Sequence, residues 1–350
     1  MKTMYDNYFG ESHGILRNTV KQFVEREIAP FVDQWEQEKR FPRELYAKAG
    51  EAGFFGIGSP EEYGGTPCDV FHEIVLVEEI IRCGSVGLAS GLFCSGIAMP
   101  PIVALGTPEQ KKRFLPPIIR GEKIAVLGVT EPSAGSDVAN LRTRAARKGD
   151  HFVVNGSKIF ITSGVRADVV TAAVRTGGEG AGGISLLLIE RDTPGFTVSK
   201  NIEKMGWHAS DTHGLRYDDC RVHEDHLLGT RGQGFRQFMS ILDDGRIPIA
   251  ALAVGVLQAC LEETTAYAKD RTSFGQSIGS YQAVAFRIAD IEVMAEAARL
   301  LTYKAAWLKD QGRPIGQAAA MAKLYSTCLL YTSPSPRDQS LYLVCRLLLE

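Results

Sequence analysis

The 350-residue sequence has no run of about 18 consecutive apolar residues, so no segment reads as a membrane-spanning helix. Residues Met1 to Phe9 carry no apolar stretch behind a basic start, so they do not read as a secretory leader. Basic charge is not in excess either. The formal net charge is −2, which argues against the broad basic face that nonspecific nucleic-acid binding needs. It leaves room for a local basic pocket that takes one anionic ligand. No Cys-x-x-Cys spacing occurs. The seven cysteines, Cys68, Cys83, Cys94, Cys220, Cys260, Cys328 and Cys345, are scattered and odd in number. They read as reduced thiols of a cytoplasmic compartment. A Walker A loop, a G-x-S-x-G elbow and an H-E-x-x-H helix are all missing, so the chemistry these motifs carry has no support. What is present is an ordinary globular balance, 45% hydrophobic and 23% charged, with enough length for two to three domains and a sizeable core.

Helical texture comes first. Leu16, Val20, Phe23, Val24 and Phe31 keep a 3.6-residue period up to Pro30, and further helices are expected over Pro42 to Ala52 and Val70 to Ile81. Ser85 to Leu105 reads as one helix buried on several faces. Thr107-Pro108 opens the next, with Thr as N-cap and Pro in the first turn. Past Gly121 the texture becomes short apolar strands: Ala125 to Val129, Phe152 to Val154, Lys158 to Thr162, Val169 to Arg175, Ile184 to Glu190, Phe196 to Ser199 and Leu215 to Val222. Asn155-Gly156 predicts a hairpin turn, and the whole middle third is expected to be antiparallel. Helices return after Gly234. Val284, Ile288, Ile291, Ala295, Ala298, Leu301, Ala305 and Leu308 mark a bundle-type face, and Gln317 to Thr327 starts another helix. Thr332-Ser-Pro-Ser-Pro336 then breaks the pattern, and the closing run Leu341 to Leu349 is foreign to it.

Several segments admit a chemical and a plain reading. Gly178-x-Gly180-x-x-Gly183 has the dinucleotide spacing, but it leads into a strand instead of a helix, so it reads as a flexible hairpin loop. His223 and His226, with Glu224 and Asp225, read as a solvated charged turn before a metal site, and no metal is expected. Leu127 to Asp137 is a loop of small and hydroxylated residues whose backbone N–H groups could approach an anionic ligand, and such residues also build ordinary turns. Phe160-Ile-Thr162 could flank a flat ring or simply be strand. Arg271, Phe274 and Gln282 stand at a junction between two helices, as a ligand contact or as plain surface.

Taken together, the segments resemble the acyl-CoA dehydrogenase family. The resemblance rests on Ser59-Pro-Glu-Glu-Tyr-Gly-Gly65, Leu105-Gly-Thr-Pro-Glu-Gln-Lys111, Val129-Thr-Glu-Pro-Ser-Ala-Gly-Ser-Asp137, Asn155-Gly-Ser-Lys-Ile-Phe-Ile-Thr162 and Arg271-Thr-Ser-Phe-Gly275, in the family's order over residues 1–327. It implies an α+β fold. The expected parts are an N-terminal all-α domain at 1–120, a central antiparallel β domain at 121–232, an incomplete C-terminal helix bundle at 233–327, and a non-family tail at 328–350. It implies FAD as cofactor, an acyl-CoA substrate, an electron-transfer flavoprotein as acceptor, and a homotetramer, with no nucleic-acid or membrane partner. By the same resemblance Leu127, Val129, Thr130, Gly135 and Ser136 line the flavin, with Ser136 also touching the acyl-CoA. Phe160, Ile161 and Thr162 flank the ring system, where the family commonly has Trp in place of Phe160. Arg271, Ser273, Phe274 and Gln282 reach the FAD of a neighbouring subunit, and Asp243 and Arg246 contact substrate.

The implied reaction has a physical logic. Taking two hydrogens from a Cα–Cβ bond needs an electron acceptor that no side chain supplies. The α-proton is acidic only when donors meet the developing enolate oxygen, and a carboxylate must then take it. In most of the family that carboxylate lies in a Tyr-Glu-Gly-Thr-like motif, and no such string occurs in these residues. In the branched- and long-chain subset it directly precedes the Arg that corresponds to Arg246, and here that residue is Gly245. The chain as written is therefore expected to lack its catalytic base. A non-catalytic acyl-CoA or FAD binder on the same scaffold and a related flavin oxidase are the competing readings.

Overall fold

The computed structural model describes residues 7–332. The helices α1 (Glu11–Phe23), α2 (Val32–Glu38), α3 (Glu44–Glu51), α4 (Val70–Ile80), α5 (Val86–Leu92), α6 (Ser95–Leu105) and α7 (Pro108–Ile119) come first. The strands β1 (Ala125–Gly128), β2 (Arg144–Lys148), β3 (His151–Thr162), β4 (Val169–Arg175), β5 (Ile184–Glu190), β6 (Phe196–Val198), β7 (Thr212–His223) and β8 (Leu227–Leu228) follow. The chain then continues through α8 (Gly234–Asp270), the short strands β9 (Thr272–Ser273) and β10 (Gln276–Ser277), α9 (Gln282–Asp310) and α10 (Gly316–Thr332). This is the α, β, α order read from the sequence.

Local chemistry explains most element boundaries. Thr107 Oγ1 accepts from Gln110 N at 3.2 Å, and Gln110 Oε1 accepts from Thr107 N at 3.0 Å, so α7 opens on a reciprocal capping box. The Ser85–Leu105 stretch is two helices instead of the single one expected. Ser85 caps the first by accepting from Leu88 N, and the break at Phe93-Cys94 lets Ser95 Oγ accept from Ala125 N and donate to Ala125 O on β1. Val86–Leu105 and Gly234–Asp270 are apolar and long enough to cross a membrane by composition, yet about half of each window (56% and 50%) is buried inside the protein. Core packing accounts for that apolarity.

The sheet runs in the order β6-β7-β3-β2-β4-β5-β8, with β1 beside β4. It is mostly antiparallel, but β1 pairs with β4 in parallel, Leu127 opposite Thr171. This corrects the fully antiparallel expectation. Strand β1 enters from a helix, and β2 and β3 serve as the long crossover that parallel pairing requires. The Asn155-Gly156 hairpin is also corrected. These residues lie inside the 12-residue β3, opposite a bulge on β7 in which Asp218 and Asp219 face the single Asn155, while Gly149-Asp150 makes the turn between β2 and β3. Asn155 Nδ2 donates to Asp219 Oδ1 and Asn155 Oδ1 accepts from Asp219 N, both at 2.9 Å. Gly156 has φ +146°, and a Cβ there would lie 2.6 Å from the Thr143 backbone. Gly156→Ala is thus expected to cost about 1–3 kcal/mol, seen as a lower urea midpoint. An unchanged midpoint would refute this account of the bulge. The Gly178–Gly183 segment joins antiparallel β4 and β5, as read from the sequence.

The described residues form two compact units that do not follow chain order. One unites the N-terminal residues to Val24, Asp69–Arg82, and the chain from Asp243. Its core joins Phe71 and Ile74 of α4 to Ile247 and Ala250 of α8, Tyr303 and Ala306 of α9, and Ala319 and Ala322 of α10. The other unit holds Glu25–Cys68 and Cys83–Leu242. Its core packs Ala98, Ile102, Phe114 and Leu115 on Val129, Leu186, Leu188 and Phe238. Helix α10 runs to Thr332, the last described residue. The rest of the expected tail lies outside the described residues.

Candidate active site

In the second unit, one cavity of about 280 Å³ is lined by Leu127, Val129, Thr130, Val138, Phe160, Ile161, Phe238 and Leu242. Five of the expected ring-facing residues therefore surround one space. Strand β1 delivers Leu127 and, just past its end, Val129 and Thr130. Gly128 lets this strand lie close to β4, since a Cβ there would meet Val170 Cγ1 at 2.9 Å. The end of β3 delivers Phe160 and Ile161, and the first turns of α8 deliver Phe238 and Leu242. Phe160 has φ +60° and is 62% exposed. A bulky aromatic in the left-handed region is strained, and such strain persists only where the surroundings over-determine it.

What over-determines it lies directly beneath. Ile159 N donates to Thr130 O at 2.8 Å, tying the two walls together. The adjacent Lys158 side chain is 0% exposed. Its Nζ donates to Val129 O at 3.1 Å and to Glu131 Oε1 at 2.7 Å. Glu131 is equally buried and accepts further from Thr143 N at 2.9 Å and from Arg142 N. Burial pushes the Glu131 carboxyl up, but the Lys158 charge and these hydrogen bonds outweigh it and leave it below its ordinary value. Burial pushes the Lys158 ammonium down to about 8 against the upward pull of Glu131. Both groups are therefore charged at neutral pH.

The other expected residues fall in three places. Gly135 and Ser136 sit exposed just past the turn closed by reciprocal Glu131–Ala134 backbone hydrogen bonds, and Thr162 is half-buried at the end of β3; none of the three lines the cavity. Arg271, Ser273, Phe274 and Gln282 cluster in the first unit around the β9–β10 hairpin, which the sequence reading had only as a helix junction. Phe274 forms its tip at φ +51° and is 96% exposed. Ser273 O accepts from Tyr281 Oη at 2.8 Å, which braces the hairpin against the start of α9. Asp243 and Arg246 are one helical turn apart on α8 and form an ion pair. Between them, Asp244 lies 3.7 Å from Lys309 Nζ, and a Cβ on Gly245 would meet nothing within 4 Å.

The histidines are otherwise engaged. His226 Nδ1 donates to Leu188 O at 2.8 Å, and His223 faces Asp150 and Asp225. Among the described residues, His13, Asp69 and His72 bring three ligand-type atoms together. Gly10 N donates to His13 Nδ1 at 2.9 Å, so His13 Nε2 carries the proton and donates it to Asp69. That trio ties α1 to the N-terminus of α4. Sequence reasoning missed Val138, Phe238 and Leu242 in the cavity and gave Lys158 and Glu131 no role. One signal was legible: Lys158 shares the inward parity of Phe152 and Val154 on β3, so it needed a buried acidic partner.

The helical, β and helical parts, with an apolar cavity at the ends of β1 and β3, define a three-part dehydrogenase-type scaffold. Acyl-CoA dehydrogenase family models match in all three: the N-terminal domain at 10–122, the middle domain at 126–220 and the C-terminal domain at 232–332. The chain belongs to the acyl-CoA dehydrogenase family of oxidoreductases. It is 42% identical over 316 residues to the Bacillus subtilis protein "Probable acyl-CoA dehydrogenase YngJ", covering 89% of this chain and 83% of that one. It is 41% identical to the Clostridium acetobutylicum "Acyl-CoA dehydrogenase, short-chain specific", with 89% and 83% covered. The structure of butyryl-CoA dehydrogenase from Megasphaera elsdenii superposes with a TM-score of 0.90 at 34% identity, over 99% of this chain and 93% of that one.

Proposed function

We propose that this chain binds FAD and carries the α,β-dehydrogenation of an acyl-CoA thioester to the trans-2-enoyl-CoA, working as a homotetramer that passes electrons to an electron-transfer flavoprotein. The observation that carries this reading is the cavity walled by Leu127, Val129, Thr130, Phe160 and Ile161. Its residues fit a flavin: the walls are apolar, an exposed aromatic ring stands at one side, and Gly135 leaves the neighbouring turn without a side chain. FAD supplies the electron acceptor that no side chain can. Ser136 and the Arg246–Asp243 pair are the groups assigned to hold and orient the thioester ligand.

The test is direct. The purified chain, supplied with FAD, is expected to turn yellow and to bleach on anaerobic addition of acyl-CoAs from a panel of chain lengths. A folded protein that stays colourless after FAD reconstitution sinks the proposal. Air exposure after anaerobic bleaching separates an oxidase, which recolours rapidly, from a dehydrogenase. One observation favours the non-catalytic reading: Gly245 offers no carboxylate, and Asp244 is drawn to Lys309. In that case flavin and acyl-CoA bind without bleaching. Arg271→Lys supplies a further prediction. A guanidinium grips a pyrophosphate through two donors and an ammonium cannot reproduce that fork. FAD retention is expected to weaken about tenfold with the urea midpoint unchanged. Equal flavin occupancy after extensive dialysis would remove Arg271 from the site.

A further inference from the structure

We propose that Lys158 is a positioning residue of this cavity: its buried ammonium locks the Val129–Glu131 wall to the Phe160–Ile161 wall and sets the charge environment of whatever the cavity holds. The inference rests on the flavin reading for its ligand, but not for its geometry. Three consecutive residues of one wall are bonded to two consecutive residues of the other. Val129 O and the Glu131 carboxylate accept from Lys158 Nζ, and Thr130 O accepts from Ile159 N. The next residue in the chain is the strained Phe160. Glu131 is fixed from its far side by the backbone N–H groups of Arg142 and Thr143. Packing alone does not call for a charge here, because an apolar side chain of similar volume fills such a space at lower desolvation cost. A buried cation bonded to a cavity wall is instead what would tune a bound redox group. Tyr217 of β7 also approaches: its hydroxyl and Lys158 Cγ each lie 3.6 Å from the position a Cβ on Gly128 would take, and burial pushes that hydroxyl far up.

The experiment uses the full chain with and without FAD. Lys158→Met and the charge-balanced Lys158→Met/Glu131→Gln are both compared with the parent. Both are expected to retain FAD about tenfold less well, to shift the flavin absorption bands, and, in flavin-free protein, to exchange the Ile159 amide faster while the Val154 amide keeps its rate. A double variant with parental bands, FAD retention and Ile159 exchange overturns the proposal. Should neither variant fold, the parent decides alone. Its FAD retention is expected to fall as the pH rises through about 8, where the Lys158 ammonium discharges, and a flat profile from pH 7 to 9 overturns the proposal. If the parent takes up no FAD, the flavin reading fails, and the Ile159 exchange rates still decide the role of Lys158.

Discussion

Gly245→Glu is expected to raise acyl-CoA-dependent flavin bleaching by the 350-residue chain about 10²–10⁴-fold, the usual contribution of a positioned general base. The residue directly precedes Arg246 on α8, the position that, by the family resemblance, holds the base in the branched- and long-chain subset. Space is available, because a Cβ there meets nothing within 4 Å. Its neighbour cannot substitute. A one-residue shift on a helix turns a side chain by about 100°, and Asp244 already lies 3.7 Å from Lys309 Nζ. Replacing a mid-helix glycine also adds about 0.5–1 kcal/mol of helix stability, so loss of folding is no concern. Gly245→Gln is the control. It has nearly the same volume without a basic carboxylate and is expected to give no gain. If the parent bleaches as fast as the Glu variant, the account of the base is wrong, and Asp244 becomes the first residue to replace.

The order of the parts was legible because short-range chemistry writes it, and the cavity-lining residues were legible only through the family resemblance. The Thr107 capping box, the glycine-rich link between β4 and β5, and the hydroxyl-rich turn after Thr130 are all written in adjacent residues. Three features were not legible, each because a distant segment decides it. Asn155-Gly156 has the composition of a hairpin turn, yet Asp219 on β7 takes up the asparagine side chain and Thr143 leaves no room for a Cβ at Gly156. The consecutive blocks of the sequence also do not reveal that Phe71 and Ile74 share a core with Tyr303 and Ala322. Lys158 and Glu131, 27 residues apart, look like two ordinary surface charges until the fold buries them against each other. A buried pair leaves no local pattern beyond its inward parity.

That pair also yields the largest expected change in stability. Glu131→Ala removes the carboxylate that accepts from Lys158 Nζ, Thr143 N and Arg142 N, and it leaves a buried ammonium uncompensated. Breaking a buried pair from one side costs about 3–5 kcal/mol. For a unit of this size that lowers the melting temperature by roughly 10 °C. The pH dependence separates the charge from the lost packing. Glu131 is held below its ordinary 4.5, so its contribution is complete above 4.5 and is lost as the pH falls through the lower folded value. Lys158 is held at about 8 against an ordinary 10.5, so the cost of burying its charge is full below 8 and is relieved as the pH rises from 8 to 10.5. In acid the parent loses the carboxylate charge, and in alkali both proteins shed the ammonium. The stability gap between parent and Glu131→Ala should therefore be widest from about pH 5 to 8 and narrow on both sides, as read by urea unfolding across pH 3–10. A gap that stays constant over that range would mean the two side chains matter by volume alone.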